Sequence, residues 1–452
     1  MTRFWKRAPE DEIRAARTCT ASWGDPVSQV EPINDPGPGS TPPQSHRLTR
    51  IAVPVLIALA CYSLLFVVAR PLLLSSISDF SFYYRAGKML TIGEGQNVYN
   101  FTVERQYDAK WQNEYGIPGR DFPSHHFLAA PSILLIYGPL AYLSYVHAWM
   151  VWYALNVCML LGIPFLLRNV LGYRHLFALA VLSPPFFIPL DVVLFHGQNS
   201  ILLSFLLSWV FAELVKGREM RAGCILALVT FKPQFAIPML LSLAIAKKWK
   251  AVVGFCSGGF ALFWVCVGLV GWHSTISFPR VLKEFDQLPP DPGPVPAVMP
   301  NVRGFLYVLL HSRVPDHRLQ ALTLVLSLAL MLLVVVAFRR DNQRSLALGF
   351  SLILSVTLLV SYHCLMYDTS LLLLSFFLVG GYLRGRKATS LQVALALAVY
   401  GVFLLPAFSF WLHGMPVGMF FGMLTLATFQ FTELLSHLRR APAPQTAVSS
   451  MV

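Results

Sequence analysis

Apolar runs long enough to enter or cross a hydrocarbon layer recur along most of this chain, separated by short polar or basic connections. A bilayer core takes roughly 20 residues of helix. Helices are the expected element, because a helix satisfies its own backbone polar groups where water is absent. The runs cover 51–69, 146–167, 174–192, 199–216, 221–231, 235–246, 250–271, 319–338, 345–361, 369–383, 389–406 and 414–432. Together they predict an all-α polytopic membrane protein with about 12 transmembrane helices.

Two stretches interrupt the alternation. Residues 70–146 are of mixed polarity and contain one apolar stretch, Phe127–Leu143, broken by Pro131, Gly138 and Pro139. If that stretch crossed, the basic clusters at Arg168/Arg174, Lys216–Arg221 and Lys247–Lys250 would fall outside, against the positive-inside rule. The pattern therefore predicts a first periplasmic loop at 70–146 carrying a juxtamembrane helix. A second outer loop is expected at 272–318, with a flexible Pro-rich piece at Leu288–Pro300. The segments 221–231 and 235–246 are too short to cross alone and meet at Phe231-Lys232-Pro233-Gln234. Broken helices are tolerated at membrane depth where they line protein or a water-filled cavity, so a cavity open to the outer side is expected, with its floor near Lys232. No internal repeat is visible in the chain.

Composition agrees with the pattern. The 452 residues are 56% hydrophobic and only 13% charged, where a soluble domain has about a quarter charged. The net charge of +13 lies in short clusters between apolar runs, the placement that orients a membrane protein rather than one that binds nucleic acid. Both termini are expected in the cytoplasm. Residues 1–50, rich in Pro, Gly and Ser from Asp25 to Ser45, read as a disordered cytoplasmic tail rather than a signal peptide, and 433–452 as a second tail. The seven cysteines form no CxxC or metal-spaced set and read as small buried hydrophobes.

Polar groups near the outer face are few, and five groups of them stand out: Asp79, the turn His196-Gly197-Gln198-Asn199, Lys232, Asn301 with Arg303, and His363 with Asp368. If the segment after Asp79 is helical, Phe82, Tyr83 and Ala86 share its face while Arg85 and Lys88 point elsewhere. Asp79 is then a candidate general base; the plainer reading is a helix N-cap. In the turn, Gly allows close approach to a ligand, and His196, Gln198 and Asn199 offer hydrogen bonds to sugar hydroxyls; the plainer reading is an ordinary loop with an N-cap at Asn199 or Ser200. Lys232 needs an anion nearby: a ligand phosphate, a lipid headgroup or Asp191. Arg303 is suited to gripping a phosphate in two-pronged fashion or to contacting headgroups. His363 can move protons near neutrality, oriented by Asp368, or the two are a satisfied interfacial His and a helix cap. The chain has no GxGxxG, P-loop, zinc-spaced His/Cys set or DxD pair. An enzyme working on the outer face without a nucleotide needs a lipid-borne donor.

The pattern Asp79-Phe-x-x-Tyr83-x-x-Ala86 with Gly93 and Asn97-Val-Tyr99 resembles the opening of glycosyltransferase family 87, the polyprenyl-phosphate-mannose-dependent mannosyltransferases with the GT-C membrane fold. His196-Gly-Gln-Asn, Arg221-Ala-Gly-Cys, Phe231-Lys232-Pro233 and Lys247-Lys-Trp-Lys resemble that family's middle section, and Ser361-x-His363 with Tyr367-Asp368 its late outer loop. The likeness runs from about Ile51 to Phe431 and rests on the order and spacing of the motifs together. At Pro123-Ser-His-His-Phe127 and Pro131 the chain departs from the aromatic and paired prolines often seen there, which bears on the juxtamembrane helix and the acceptor site.

The resemblance implies a GT-C-like domain over 51–432 in the plasma (inner) membrane with its active site periplasmic. It implies inverting transfer of a hexose, mannose by family likeness, from a polyprenyl-phosphate donor to an envelope lipid or glycan acceptor, without nucleotide, metal or other cofactor. Asp79 is the expected base and His363 the second candidate. Lys232 and Arg303 would hold the donor phosphate, and Tyr83, His196, Gln198, Asn199 and Asp368 would contact sugar or acceptor. The expected partners are membrane lipids, the donor and the acceptor, with no nucleic acid. A rival class is a transporter or flippase for a lipid-linked or anionic substrate, which broken helices also fit; a third is a structural envelope subunit that binds no ligand.

Overall fold

The computed structural model describes residues 44–73, 79–111, 126–172, 175–287, 295–338, 346–384 and 415–440. The described residues from 52 onward form one compact unit. Among the described residues the secondary structure is helical, with no strand. The expected crossing at 389–406 and both expected tails, apart from short helical ends, lie outside the described residues.

The chain opens with α1 (Gln44–Leu73), α2 (Phe80–Thr91), α3 (Phe101–Trp111) and the short α4 (Leu134–Leu140), followed by α5 (Tyr145–Leu166) and α6 (Arg168–Leu171). The middle comprises α7 (Leu176–Leu182), α8 (Ile188–His196), α9 (Ser200–Val215), α10 (Glu219–Leu228), α11 (Pro233–Ile245) and α12 (Trp249–Asp286). The last part holds α13 (Val302–Leu310), α14 (Asp316–Phe338), α15 (Leu346–Val360), α16 (Leu372–Leu383) and α17 (Met415–Arg440).

Six helical segments among the described residues are long and apolar enough to cross a membrane, within α1, α5, α12, α14, α17 and Met366–Leu383. The bent pair α8 and α9 makes up to seven. The other crossings expected from the sequence fall on that pair, on the shorter apolar helices α11 and α15, on α10 or on 389–406. The stretch Phe127–Leu143 contributes only a short helical segment, Pro131–Leu140.

Two expectations are corrected, and one segment gains detail. Residues 174–192 do not form one helix: α7 ends before a 3-10 turn at Pro184–Phe186, and α8 begins with Pro189 in its first turn. Proline supplies no N–H and disfavours helix in the residue before it. The described residues of 272–318, the segment expected on the outer side, are largely helical. Gly271, at φ +80° and ψ 163°, breaks α12 where the crossing was expected to end, and a second helical piece runs on to Asp286. Ser274, Phe278 and Val281 form its buried face, and Ser274 Oγ donates to the Gln96 carbonyl at 2.5 Å. The cysteines are not uniformly buried: Cys158, Cys224 and Cys256 are exposed on helix surfaces, while Cys266 and Cys364 are buried.

Packing in the bundle uses small residues and hydrogen bonds, as expected where lipid removes the hydrophobic drive between helices. A Cβ on Gly223 would sit 1.9 Å from the Ala251 carbonyl oxygen, and one on Gly254 would sit 2.1 Å from the Met220 carbonyl oxygen. Backbone thus meets backbone between α10 and α12. In the late part of the chain, Gln430 Nε2 donates to Ser351 Oγ at 2.7 Å and to Ser375 Oγ at 2.8 Å, joining α17 to α15 and α16.

The segment between α1 and α5 is held by a buried carboxylate. Glu104 Oε2 lies 3.3 Å from Arg85 Nη2 and 2.9 Å from His126 Nδ1, and Oε1 accepts from the Phe127 backbone N–H at 3.2 Å. The His126 ring also stacks on Phe101. Arg85 is therefore turned away from the Asp79 side of α2, as the helical spacing predicts.

Gly223→Val is expected to destabilise the protein by about 1–3 kcal/mol through overpacking, read as a lower thermal midpoint in detergent. Gly259→Ala, where a Cβ meets nothing within 4 Å, is the matched control and should leave the midpoint almost unmoved.

Candidate active site

The site is built around the sharp turn between α8 and α9, whose axes are bent by 119°. Gly197 ends α8 in the left-handed region, at φ +66° and ψ 30°. A Cβ there would lie 2.6 Å from Phe80 Cβ, so the residue needs both the conformational freedom and the missing side chain. Three further groups hold the turn. Trp152 Nε1 donates to the Gly197 carbonyl at 2.9 Å. Tyr137 Oη donates to Asn199 Oδ1 at 2.8 Å. The Gln198 backbone N–H returns to the Val193 carbonyl at 3.0 Å. Tyr137 packs against Tyr83 at 4.8 Å and Trp152 at 5.2 Å between ring centroids, so the aromatic core and the turn are one assembly.

Asp79 stands at the N-cap position of α2 but makes no capping hydrogen bond, which overturns the capping reading. Its Oδ2 instead accepts from Gln198 Nε2 at 2.5 Å. His196 Nδ1 lies 3.9 Å from the same oxygen, beyond hydrogen-bond length. Tyr83 Oη donates to Gln198 Oε1 at 3.3 Å. Burial, and then the nearby Asp79 charge, push the Tyr83 phenol pKa up, so it remains a protonated donor.

Two residues along the same turn, Ser200 reaches the second cluster. Ser200 Oγ donates to Asp368 Oδ1 at 2.8 Å, and Lys232 Nζ donates to Ser200 Oγ at 2.9 Å. Lys232 and Asp368 form a direct, very short ion pair. The Leu365 backbone N–H donates to Asp368 Oδ2 at 3.0 Å. Lys232 lies in the break between a 3-10 turn and α11, and its ammonium sits 5.2 Å from the Tyr367 ring centroid. The break falls where the sequence places it. The lysine's partner is Asp368 from the late loop, not Asp191.

The third cluster joins α13 to the end of α12 and to the late loop. Asn301 caps α13 by accepting from the Gly304 N–H at 2.8 Å, and it donates to the Ser361 carbonyl at 2.7 Å. Arg303 Nη2 pairs with Asp286 Oδ1 at 2.6 Å, and its guanidinium lies 4.0 Å from the Tyr362 ring centroid. Tyr362 Oη donates to Asp286 Oδ2 at 2.7 Å. His363 feels the charges of Asp368, Arg303, Asp286 and Lys232, but burial is the largest influence and lowers its pKa below the usual imidazole value. The ring is therefore neutral around pH 7 and able to accept a proton. Among the described residues no hydrogen bond joins His363 to Asp368, whose oxygens are taken by Ser200, Lys232 and the Leu365 N–H.

The structure thus brings Asp79, Tyr83, His196, Gln198 and Asn199 together, and links them through Ser200 to Lys232 and Asp368. His363 and Arg303 lie on the adjoining late loop and α13. Gln198 and Asn199 are directed inward, at 2% and 0% exposed, while the His196 side chain is 35% exposed. Residues that the sequence reading passed over are Trp152, Tyr137, Asp286 and Tyr362, and Ser200 was read only as a cap. The aromatics look like ordinary apolar positions, and only Asp286, an acid just before the Pro-rich piece, carried a visible signal. Among the described residues no three His, Cys, Asp or Glu side chains gather closely enough to hold a metal ion.

Residues 127–361 match the sequence profile of glycosyltransferase family 87, over half of the chain. The chain belongs to glycosyltransferase family 87. The matched region of this family 87 protein includes the turn, Lys232, Asn301 and Arg303, whereas Asp79, His363 and Asp368 lie beyond its ends. No curated protein and no solved structure matches the chain.

Lys232→Met should leave the 2%-exposed Asp368 unpaired and cost about 3–5 kcal/mol of stability. The double variant K232M/D368N should recover much of that loss. Thermal unfolding of the purified single and double variants checks the coupling.

Proposed function

We propose that this family 87 enzyme transfers a hexose, mannose by family likeness, from a polyprenyl-phosphate donor to a hydroxyl of an envelope lipid or glycan, with inversion. It would do so on the periplasmic face of the plasma membrane, with both termini in the cytoplasm. The observation that carries this reading is the pairing of a carboxylate and an ammonium across one turn. Gln198 holds Asp79, and Ser200, two residues later, holds Lys232.

In this reading the acceptor hydroxyl lies against the free Oδ1 of Asp79. The acceptor oxygen attacks the anomeric carbon as its proton passes to Asp79, and the bond from that carbon to the phosphate oxygen breaks. Positive character spreads over the sugar ring in the transition state, as in other glycosyl chemistry, and negative charge collects on the leaving phosphate. Lys232 has three N–H bonds and gives one to Ser200 and one to Asp368. The third has no hydrogen-bond partner among the described residues and would serve the phosphate, and a preorganised donor of this kind is worth about 3–4 kcal/mol in the transition state. Arg303 is committed to Asp286, so it reaches the phosphate only by exchanging that carboxylate for it. His196 is the turn residue open to the sugar. His363, kept neutral by burial, is the second group able to take a proton.

The broken helices also suit a transporter, which would bind the lipid-linked donor without turnover. A carboxylate held by a neutral amide donor and outside the site's ion pairs favours transfer chemistry.

Asp79→Asn, assayed in detergent or liposomes with labelled polyprenyl-phosphate-mannose and membrane lipid extract, is expected to lose about 10²–10⁴-fold in turnover, the range of a general base, while still binding donor. Turnover near the wild-type level would overturn the assignment of Asp79, and binding of donor by the wild type without any transfer would favour the transporter.

A further inference from the structure

We infer that Gln198 is a positioning residue that aims Asp79, rather than a sugar contact. The inference rests on the reading of Asp79 as the base. The side chain of Gln198 is 2% exposed, and both ends of its amide are used inside the protein. Its Nε2 donates to Asp79 Oδ2 at 2.5 Å, and its Oε1 accepts from Tyr83 Oη at 3.3 Å. The ionised Asp79 carboxylate can only accept, so Nε2 faces it and Oε1 is left to accept from Tyr83 Oη. The carboxylate therefore sets the direction of the amide, Tyr83 holds the amide's other end, and the held amide in turn fixes the carboxylate.

The consequence lies at Asp79. Side-chain torsions of a partly exposed aspartate are otherwise loosely held. With Oδ2 tied to Gln198, Oδ1 is left as the oxygen that meets the acceptor hydroxyl. Gln198 is itself anchored by the turn, since Gly197 is pinned by Trp152 and Asn199 by Tyr137. Reaction rates are sensitive to such aim: a misplacement of about 1 Å costs as much as about 100-fold. A neutral amide also brings no charge of its own to the base. The titratable groups that act on Asp79 from the surrounding elements are His196 at the end of α8, Tyr83 on α2, Tyr137 on α4 and Tyr367 in the late loop.

Gln198→Glu preserves side-chain volume and puts a second carboxylate where the amide stood. Two carboxylates in hydrogen-bond contact hold a proton between them, so the acidic limb of the pH–rate profile should move up by about one pH unit or more. Gln198→Ala should lower kcat by about 10–100-fold with KM for the donor and acceptor within about twofold, the split of a lost alignment rather than lost binding. Tyr83→Phe loosens Gln198 without replacing it and should give a smaller fall in kcat of the same kind, which keeps the inference testable if the alanine variant does not fold. A rise in KM at unchanged kcat would overturn the inference, as would an unmoved acidic limb in Q198E or wild-type kinetics in the variants. An active Asp79→Asn would instead remove the underlying reading, so the two failures are separable.

Discussion

An ammonium inside an apolar helical bundle has to be neutralised, and the rest of this site depends on how that is done. Lys232 sits in a break between two short helices and is met by Asp368, which arrives from more than a hundred residues later in the chain. Neither charge is affordable there alone. Their union also recruits Ser200, and so it fixes the late loop, the break before α11 and the start of α9 to one another. Because Ser200 is two residues from Gln198, the same contact sets where the carboxylate side of the site stands.

Around that core the protein separates two kinds of polar group. Glu104 with Arg85 and His126, and Asp286 with Arg303 and Tyr362, are closed clusters in which opposite charges satisfy each other. They join segments that the chain leaves far apart. Asp79 is different: among the described residues its partners are a neutral amide and, at a longer distance, an imidazole.

The region that matches glycosyltransferase family 87 holds only part of this geometry. The family match spans 127–361 and so contains the turn and Lys232, while Asp79 and Asp368 are brought to that region from outside it by folding. The proposed chemistry thus draws its carboxylate from one side of the matched region and the lysine's counter-ion from the other.

Hydrophobic spacing alone determined that the chain is a helical membrane protein, where most of the long helices lie, and that Lys232 falls at a break, because span length and proline placement are local properties. It also determined which face of α2 carries Asp79 and Tyr83, since that follows from 3.6 residues per turn. It misjudged 174–192, where apolar content hid a proline-split helix, and it did not reveal the amphipathic helix beyond Gly271, which polarity obscured. Only the tertiary structure decided that Lys232 answers to Asp368 rather than Asp191, that Asp79 is no cap, and that Gln198 and Asn199 face inward. Those outcomes depend on which distant side chains meet in low dielectric, and pairings across more than a hundred residues leave no period or spacing in the sequence from which to read them.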